Sequence, residues 1–365
     1  MKITGIQTGE VRVPLHTPFK TALRTVDSVH DVAVRIETDM GLAGYGEAPP
    51  TAVITGETRA GIKAAIRECI TPVLLGRTVD NLEHTLALLH QTMVKNTSAK
   101  AAVDMALYDL HGQLYGAPLY RLLGGYRDVV ETDLTISANP VAEMVVDSLK
   151  AVAKGYRILK VKVGREPALD LERMAQIRRA VGPDIALRVD ANQGWEAKEA
   201  VRLIRAMEDK GLNIALVEQP VKAHDIDGLQ MITNCVYTKI LADESVFTAA
   251  DCLRILQRRA ADYINIKLMK TGGIYGALQV CAIAEAYGVE CMIGCMLETK
   301  LSVSAAAHVA AAKGVITMAD LDGPGLCRFD PVSGGPRFQA GEIHMTDAPG
   351  LGFDWRTEQG IVWGA

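Results

Sequence analysis

The chain is 365 residues long and 49% hydrophobic, long enough for two domains at roughly 150 residues each and apolar enough for a sizeable core. Its 39 basic and 43 acidic residues leave a formal charge of −4 with no basic stripe, which excludes the phosphate-neutralising face that nucleic-acid binding requires. The opening MKITGIQTGEVRVPL lacks an apolar signal core and no apolar run reaches the roughly 18 residues of a membrane span, so no membrane partner is expected and a cytoplasmic protein is.

From Met1 to about Pro50 the chain reads as strands: TGIQTGEVRV, HDVAVRIET, a turn at Asp39-Met40-Gly41, then LAGYGEA. This is the pattern of a small antiparallel meander. Two helical stretches follow. One spans ETRAGIKAAIRECITPVLL; the other is opened by Ser98 as N-cap, with Ala102, Val103, Ala106, Leu107, Leu110 and Leu114 as its apolar stripe. GAPLYRLLGG stops the helices, and strands followed by helices predict an α+β domain over residues 1–125.

After Gly125 short β-rich runs alternate with amphipathic helical runs: ETDLTIS, YRILKVKVG, DIALRVD, NIALVEQP, TKILADE, ADYINIKL, VECMIG and VITMADLD, with a helix between each pair. Regular alternation means parallel strands joined by crossover helices, and eight strands suggest a closed α/β barrel over residues 126–322. The open nucleotide-binding alternative should carry GxGxxG after its first strand, where this chain has TISANP. KTGGIYG follows the sixth strand and reads as a tight strand-to-helix turn. Residues 323–365 are rich in Gly, Pro and turn formers and hold no eighth helix; this segment is expected to pack back on the first domain.

The cysteines, Cys69, Cys235, Cys252, Cys281, Cys291, Cys295 and Cys327, are odd in number and scattered, which favours reduced thiols. The histidines form neither HxxxH nor HExxH, so a zinc hydrolase has no support.

In LKVKVG the period-two rule puts Lys160 and Lys162 on one strand face. Taken alone, the pair fits a solvent-exposed edge strand guarded by Lys. Chemistry in a parallel barrel belongs at the C-terminal strand ends, however, and those ends carry Lys160 and Lys162, Asp190, Glu218, Asp243, Lys267, and Asp320 with Asp322. Any one could be a solvated cap. From Lys162 through Asp190, Glu218 and Asp243 to Lys267 the spacings are 28, 28, 25 and 24 residues, one strand-helix unit each. Three carboxylates on adjacent strands would repel one another unless a hard divalent cation joins them, and an all-oxygen set suits Mg²⁺, with Mn²⁺ as a substitute. A metal flanked by lysines is equipment for removing a proton beside a carboxylate: cation and ammonium stabilise the enediolate, and a deprotonated lysine takes the proton. Lys160 is expected to supply the neighbouring charge that lowers the pKa of Lys162.

The combination of KVKVG, DANQGW, EQP, ADES and INIKLMKTGGI resembles the muconate-lactonizing subgroup of the enolase superfamily over essentially the whole chain. Enzymes of that superfamily pair a Lys or His base with Mg²⁺. The resemblance implies a modified (β/α)₇β TIM barrel with an α+β capping domain, Mg²⁺ on Asp190, Glu218 and Asp243, and acid/base lysines at Lys162 and Lys267.

Several reactions share that scaffold. The DLD at Asp320 and Asp322 puts two carboxylates on one face, suited to the free α-ammonium of a dipeptide. The DxD pattern is similar to that of dipeptide epimerases. FKTALRTV and GEAPPTAVITGET resemble the L-Ala-D/L-Glu epimerases, a likeness that implies Arg24 binds a glutamate side chain and that Thr135, Asn192 and Cys295 touch substrate. Leu297, being apolar, leaves room for hydrophobic dipeptides. The expectation is therefore a Mg²⁺-dependent isomerase, a homo-oligomer acting on a small dipeptide. An N-acylamino acid racemase or o-succinylbenzoate synthase is the alternative, and a noncatalytic barrel the third.

Overall fold

The computed structural model describes residues 1–21, 25–355 and 358–364. Strands β1 (Ile3–Lys20), β2 (Thr25–Thr38) and β3 (Ala43–Ala48) form an antiparallel sheet, and Ile361–Trp363 near the C-terminus pairs with the other side of β1 at Gly9↔Trp363. Alternation sets the faces: Val11, Val13 and Leu15 are buried while Arg12 and Pro14 between them are exposed. Helix Thr97–Leu114 lies on this sheet so closely that a Cβ at Gly44 or Gly46 would overlap the carbonyls of Ala106 and Ala102.

Ser98 does not cap that helix. The cap position is Asn96, in the left-handed region at φ 49°, and the carboxylate of Glu57 accepts from the backbone N–H groups of Ser98 (2.8 Å) and Ala99 (3.1 Å). A buried acceptor 41 residues upstream thus does what a local side chain usually does. A further helix, Leu82–Gln91, intervenes before it, and the expected stop at GAPLYRLLGG contains a helical turn, Leu119–Leu122.

The predicted first barrel strand is divided. β4 (Val129–Glu131) pairs with Glu342–His344 of the C-terminal segment, and only β5 (Leu134–Ile136) enters the barrel. β6 (Ile158–Lys162), β7 (Ala186–Asp190), β8 (Ile214–Glu218), β9 (Lys239–Ala242), β10 (Tyr263–Lys267), β11 (Cys291–Gly294) and β12 (Ile316–Asp320) follow, each hydrogen-bonded in parallel to the next. The expected eight-stranded barrel is therefore present, closed to within one seam between β5 and β12. Helices cover it from outside; Ala197–Asp209, for instance, buries Ala200, Leu203, Ile204 and Met207 at helical spacing. After β12 the chain makes a single turn, Gly323–Leu326, where an eighth helix would stand. No helix among the described residues is long and apolar enough to cross a membrane.

Candidate active site

Inside the barrel, the period of two stacks unlike layers. The lower layer is apolar, with Leu216, Leu241 and Met292 packed against Tyr263 and Met318. One step further along the strands the inward residues are charged. Register aligns Lys162 with Asp190 and Asp190 with Glu218, while Lys267 ends β10, Asp320 ends β12, and Asp243 lies one residue past β9. All the metal, base and DLD residues expected from sequence are thereby brought to one end of the barrel, and all are buried.

These groups form two clusters of ion pairs, one around Lys160 and one around Asp243. Lys160 Nζ lies 2.6 Å from Asp320 Oδ2, 2.7 Å from Glu218 Oε2 and 3.0 Å from Asp190 Oδ2. Lys162 Nζ is 2.6 Å from Asp190 Oδ2, and Lys267 Nζ donates to Asp243 Oδ2 at 2.8 Å. Burial alone would discharge Lys160, but Asp320, Glu218 and Asp190 outweigh it and hold its pKa well above the ordinary value. Lys160 is thus engaged as the counter-ion of three carboxylates, a heavier duty than the expected one of biasing Lys162. Burial likewise works against the ionised forms of Asp243 and Asp320; Lys267 and Lys270 overcome it at Asp243, and Lys160 and Lys162 at Asp320, so both carboxyls stay below the usual range. Burial and the charge of Asp190 push Glu218 up to about 7.

The carboxylate set fits a hard divalent cation. Asp190, Glu218 and Asp243 are all-oxygen donors from neighbouring strand ends, and one ammonium, that of Lys160, already bridges the first two. Glu218 Oε2 and Asp243 Oδ1 are buried oxygens without a hydrogen bond of their own, though both touch lysine charge. Among the described residues no three His, Cys, Asp or Glu side chains are already gathered as a metal-ligand cluster, since the lysines stand between the carboxylates. The all-oxygen donor chemistry fits the cation; its closed geometry is not preformed.

Above these ion pairs is a cavity with Lys162, Lys267, Asp320 and Asp322 in its lining. Its upper wall comes from the cap, including Phe19, Val53 and Ile54. Lys160 is not part of the lining and lies beneath it, 1% exposed. Asp322 Oδ2 accepts from Thr135 N–H at 2.7 Å, and burial together with Asp320 pushes its carboxyl up to about 6. Asn192, left-handed at φ 43°, donates its N–H to Asp190 Oδ1 (2.8 Å). Cys295 lines the cavity with its thiol on the Asp320 carbonyl; burial pushes its pKa far up, so it is a neutral donor. Arg24 lies outside the described residues, although nearby Phe19 and Thr21 line the cavity.

Four further residues escaped the sequence reading. Glu244 lines the cavity and is pushed up to about 8 by burial and by the charge of Asp243. Lys270 Nζ, fully buried, lies 2.7 Å from Asp243 Oδ1, so two lysines bracket one carboxylate. Asn265 donates to Glu218 Oε1 at 2.8 Å, and Gln219 Oε1 accepts from the N–H groups of Asp243 and Ser245. Asn265 was findable, because it shares a strand face with Lys267; Lys270, one short helical turn beyond β10, follows no strand period.

Residues 3–124 match the mandelate racemase / muconate lactonizing enzyme N-terminal domain, and residues 143–359 match the enolase C-terminal domain-like family. The chain is similar to the L-Ala-D/L-Glu epimerase of Clostridium acetobutylicum, 54% identical over 97% of this chain and 99% of that protein. Its fold matches the substrate-liganded L-Ala-D/L-Glu epimerase of Bacillus subtilis with a TM-score of 0.96 at 51% identity, covering 97% of this chain and 99% of the other. It also matches the dipeptide epimerase of Enterococcus faecalis complexed with Mg and L-Leu-L-Tyr, with a TM-score of 0.94 at 44% identity, over 97% of this chain and 100% of that one.

Proposed function

The chain belongs to the mandelate racemase / muconate lactonizing enzyme family of the enolase superfamily, and on that premise we propose that it is a Mg²⁺-dependent dipeptide epimerase interconverting L-Ala-L-Glu and L-Ala-D-Glu. The observation that carries this reading is that two lysines from different strands, Lys162 and Lys267, line one cavity with the acidic pair Asp320 and Asp322. Asp190, Glu218 and Asp243 would hold the Mg²⁺, or Mn²⁺ in its place. When bound, the ion supplies positive charge that favours enolisation of the substrate carboxylate.

One lysine, as the free amine, takes the α-proton of the C-terminal residue: the Cα–H bond breaks, an N–H bond forms, and the electron pair passes into the adjoining carboxylate. The other lysine, as ammonium, returns a proton to the opposite face, and the roles exchange in the reverse direction. Two bases on opposite faces give inversion, whereas one base and a leaving group would give elimination. Asp320 and Asp322 take the substrate's α-ammonium, and Arg24 takes the glutamate side chain. N-acyl substrates have no ammonium, so the acidic pair argues against a racemase or a succinylbenzoate-forming enzyme. A preference for hydrophobic dipeptides is the second reading, favoured by Val53, Ile54, Met296 and Leu297 in the cavity wall. A cytoplasmic homo-oligomer that recycles murein peptides is the setting this reading suggests.

The test is incubation of dipeptides with enzyme and Mg²⁺ in D₂O. Deuterium should enter both L-Ala-L-Glu and L-Ala-D-Glu at the α-carbon, and EDTA should stop it. Exchange confined to N-acyl amino acids would overturn the reading.

A further inference from the structure

The seam between β5 and β12 is the weak place in the barrel, because these two strands share no ladder. What crosses it is one long backbone bond, Asp133 N–H to Ala319 O at 3.4 Å, and a set of side-chain bonds. Leu321 N–H donates to Thr132 Oγ1 at 2.8 Å, and Thr135 N–H donates to Asp322 Oδ2 at 2.7 Å. A further link comes from another strand. Arg188 projects from β7 into the barrel, and its Nη1 donates both to Asp133 Oδ2 at 2.7 Å and to the Ala319 carbonyl at 2.9 Å. Arg188 and Asp133 are buried, at 6% and 0% exposure. One guanidinium nitrogen therefore ties the residues before β5 to the residue immediately before Asp320.

We infer that Arg188 is a positioning residue for substrate recognition: by stapling Asp133 to the Ala319 carbonyl across the seam, it fixes where Asp320 and Asp322 stand to receive the dipeptide's ammonium. The inference rests on the dipeptide reading above. Asp320 Oδ2 is already given to Lys160 and Asp322 Oδ2 to Thr135, so each carboxylate offers the substrate mainly its other oxygen. Asp320 ends β12 and is held by the ladder to β11 at Gly294↔Asp320, whereas Asp322 lies beyond the strand and is tied to Thr135 of β5, so how the second carboxylate stands against the first depends on how closely the seam is drawn. Planar guanidinium suits this task because one nitrogen presents two fixed N–H bonds; a lysine would have to hold the same two acceptors with a flexible point charge.

The experiment compares wild type with Arg188→Met, Arg188→Lys and the charge-neutral pair Arg188→Met/Asp133→Asn. The pair keeps the test available if the single variant fails to fold with Asp133 left uncompensated. Three quantities are read: kcat and KM for L-Ala-L-Glu, the inhibition constant of N-propionyl-L-Glu, which has the same shape without the ammonium, and the Mg²⁺ requirement. Expected is a KM raised at least tenfold with kcat within about threefold, because the ammonium is held equally in ground and transition states. The inhibition constant and the Mg²⁺ requirement should stay within about twofold, and Arg188→Lys should recover part of the loss. Equal weakening of substrate and analogue would make Arg188 a general structural residue and overturn the inference, as would an unchanged KM. Failure of wild type to turn over any dipeptide would strike the proposed function instead, so the two failures are distinct.

Discussion

Two kinds of joint hold this molecule's working parts. From β5 through β12 each neighbouring pair is joined by a backbone ladder, so the register places Lys162 beside Asp190 and Asp190 beside Glu218. At the seam, at the start of helix Thr97–Leu114 and where the C-terminal segment meets that helix, the joint is a buried side chain accepting backbone N–H groups. Ladder-placed residues are insensitive to any one neighbouring side chain. Side-chain-placed ones depend on single carboxylates, and a buried donor that loses its acceptor is left with its full desolvation penalty.

Removing either proposed base should give the largest effect. Lys162→Ala and Lys267→Ala should each lower epimerisation by roughly 10³-fold, the scale of general acid–base catalysis, with the fold retained because neighbouring ladders carry the position. Each variant should also exchange the α-hydrogen of only one stereoisomer in D₂O, and not the same one. If either still exchanges both isomers by NMR, the two-base assignment fails.

A smaller effect is expected at the seam. Asp322→Asn keeps an oxygen for Thr135 N–H but removes the charge proposed to receive the ammonium. It should raise KM for dipeptides by about 2 kcal/mol, a factor of about thirty, with little change in Mg²⁺ requirement. A fall in kcat at constant KM would place Asp322 in the proton-transfer machinery and erase the distinction between the two sides of the mouth.

The same division decides what could be read from sequence. Ladders impose a period of two along a strand and a near-constant spacing between strands, so Lys162, Asp190, Glu218, Asp243 and Lys267 stand out as regularly spaced charges, and the barrel with them. Side-chain joints impose no period. Glu57 as the cap of a helix 41 residues away, Arg188 as a staple from β7 to the seam, and Lys270 against Asp243 leave no local signal. The splitting of ETDLTIS into β4 and β5 was hidden for a related reason: its partner strand, Glu342–His344, lies more than 200 residues away in a stretch that reads as turns.

Asp109 allows a pH test of a side-chain joint. Buried on helix Thr97–Leu114, it accepts from Leu351 N–H (2.8 Å) and Tyr45 N–H (3.3 Å), and burial pushes its carboxyl up to about 7. A carboxyl raised above its unfolded value of about 3.8 binds more protons folded than unfolded between those limits, so its stabilisation is complete below about pH 4 and is lost as pH rises toward 7. The swing is of order 2–4 kcal/mol by linkage. Asp109→Asn should flatten this slope, gaining on wild type at pH 8 relative to pH 5 in urea titrations. An unchanged slope would mean that Asp109 is ionised throughout.

The mildest change should come from Glu57, because its joint lies in the cap, away from the seam. Its two oxygens serve the Ser98 and Ala99 N–H groups at the positive end of an 18-residue helix, while Ser98 Oγ is itself buried without a hydrogen-bond partner. Glu57→Gln retains one acceptor and loses the charge, which should cost about 1 kcal/mol of stability, read as a lower urea midpoint at constant slope. KM for dipeptides should not follow, because the cap sheet is fixed to this helix by the close approach at Gly44 and Gly46 as well. A KM shift as large as that of Asp322→Asn would show that the helix start transmits its position to the cavity wall at Val53 and Ile54, only a few residues before Glu57, and the cap would then belong with the seam as a part of substrate recognition.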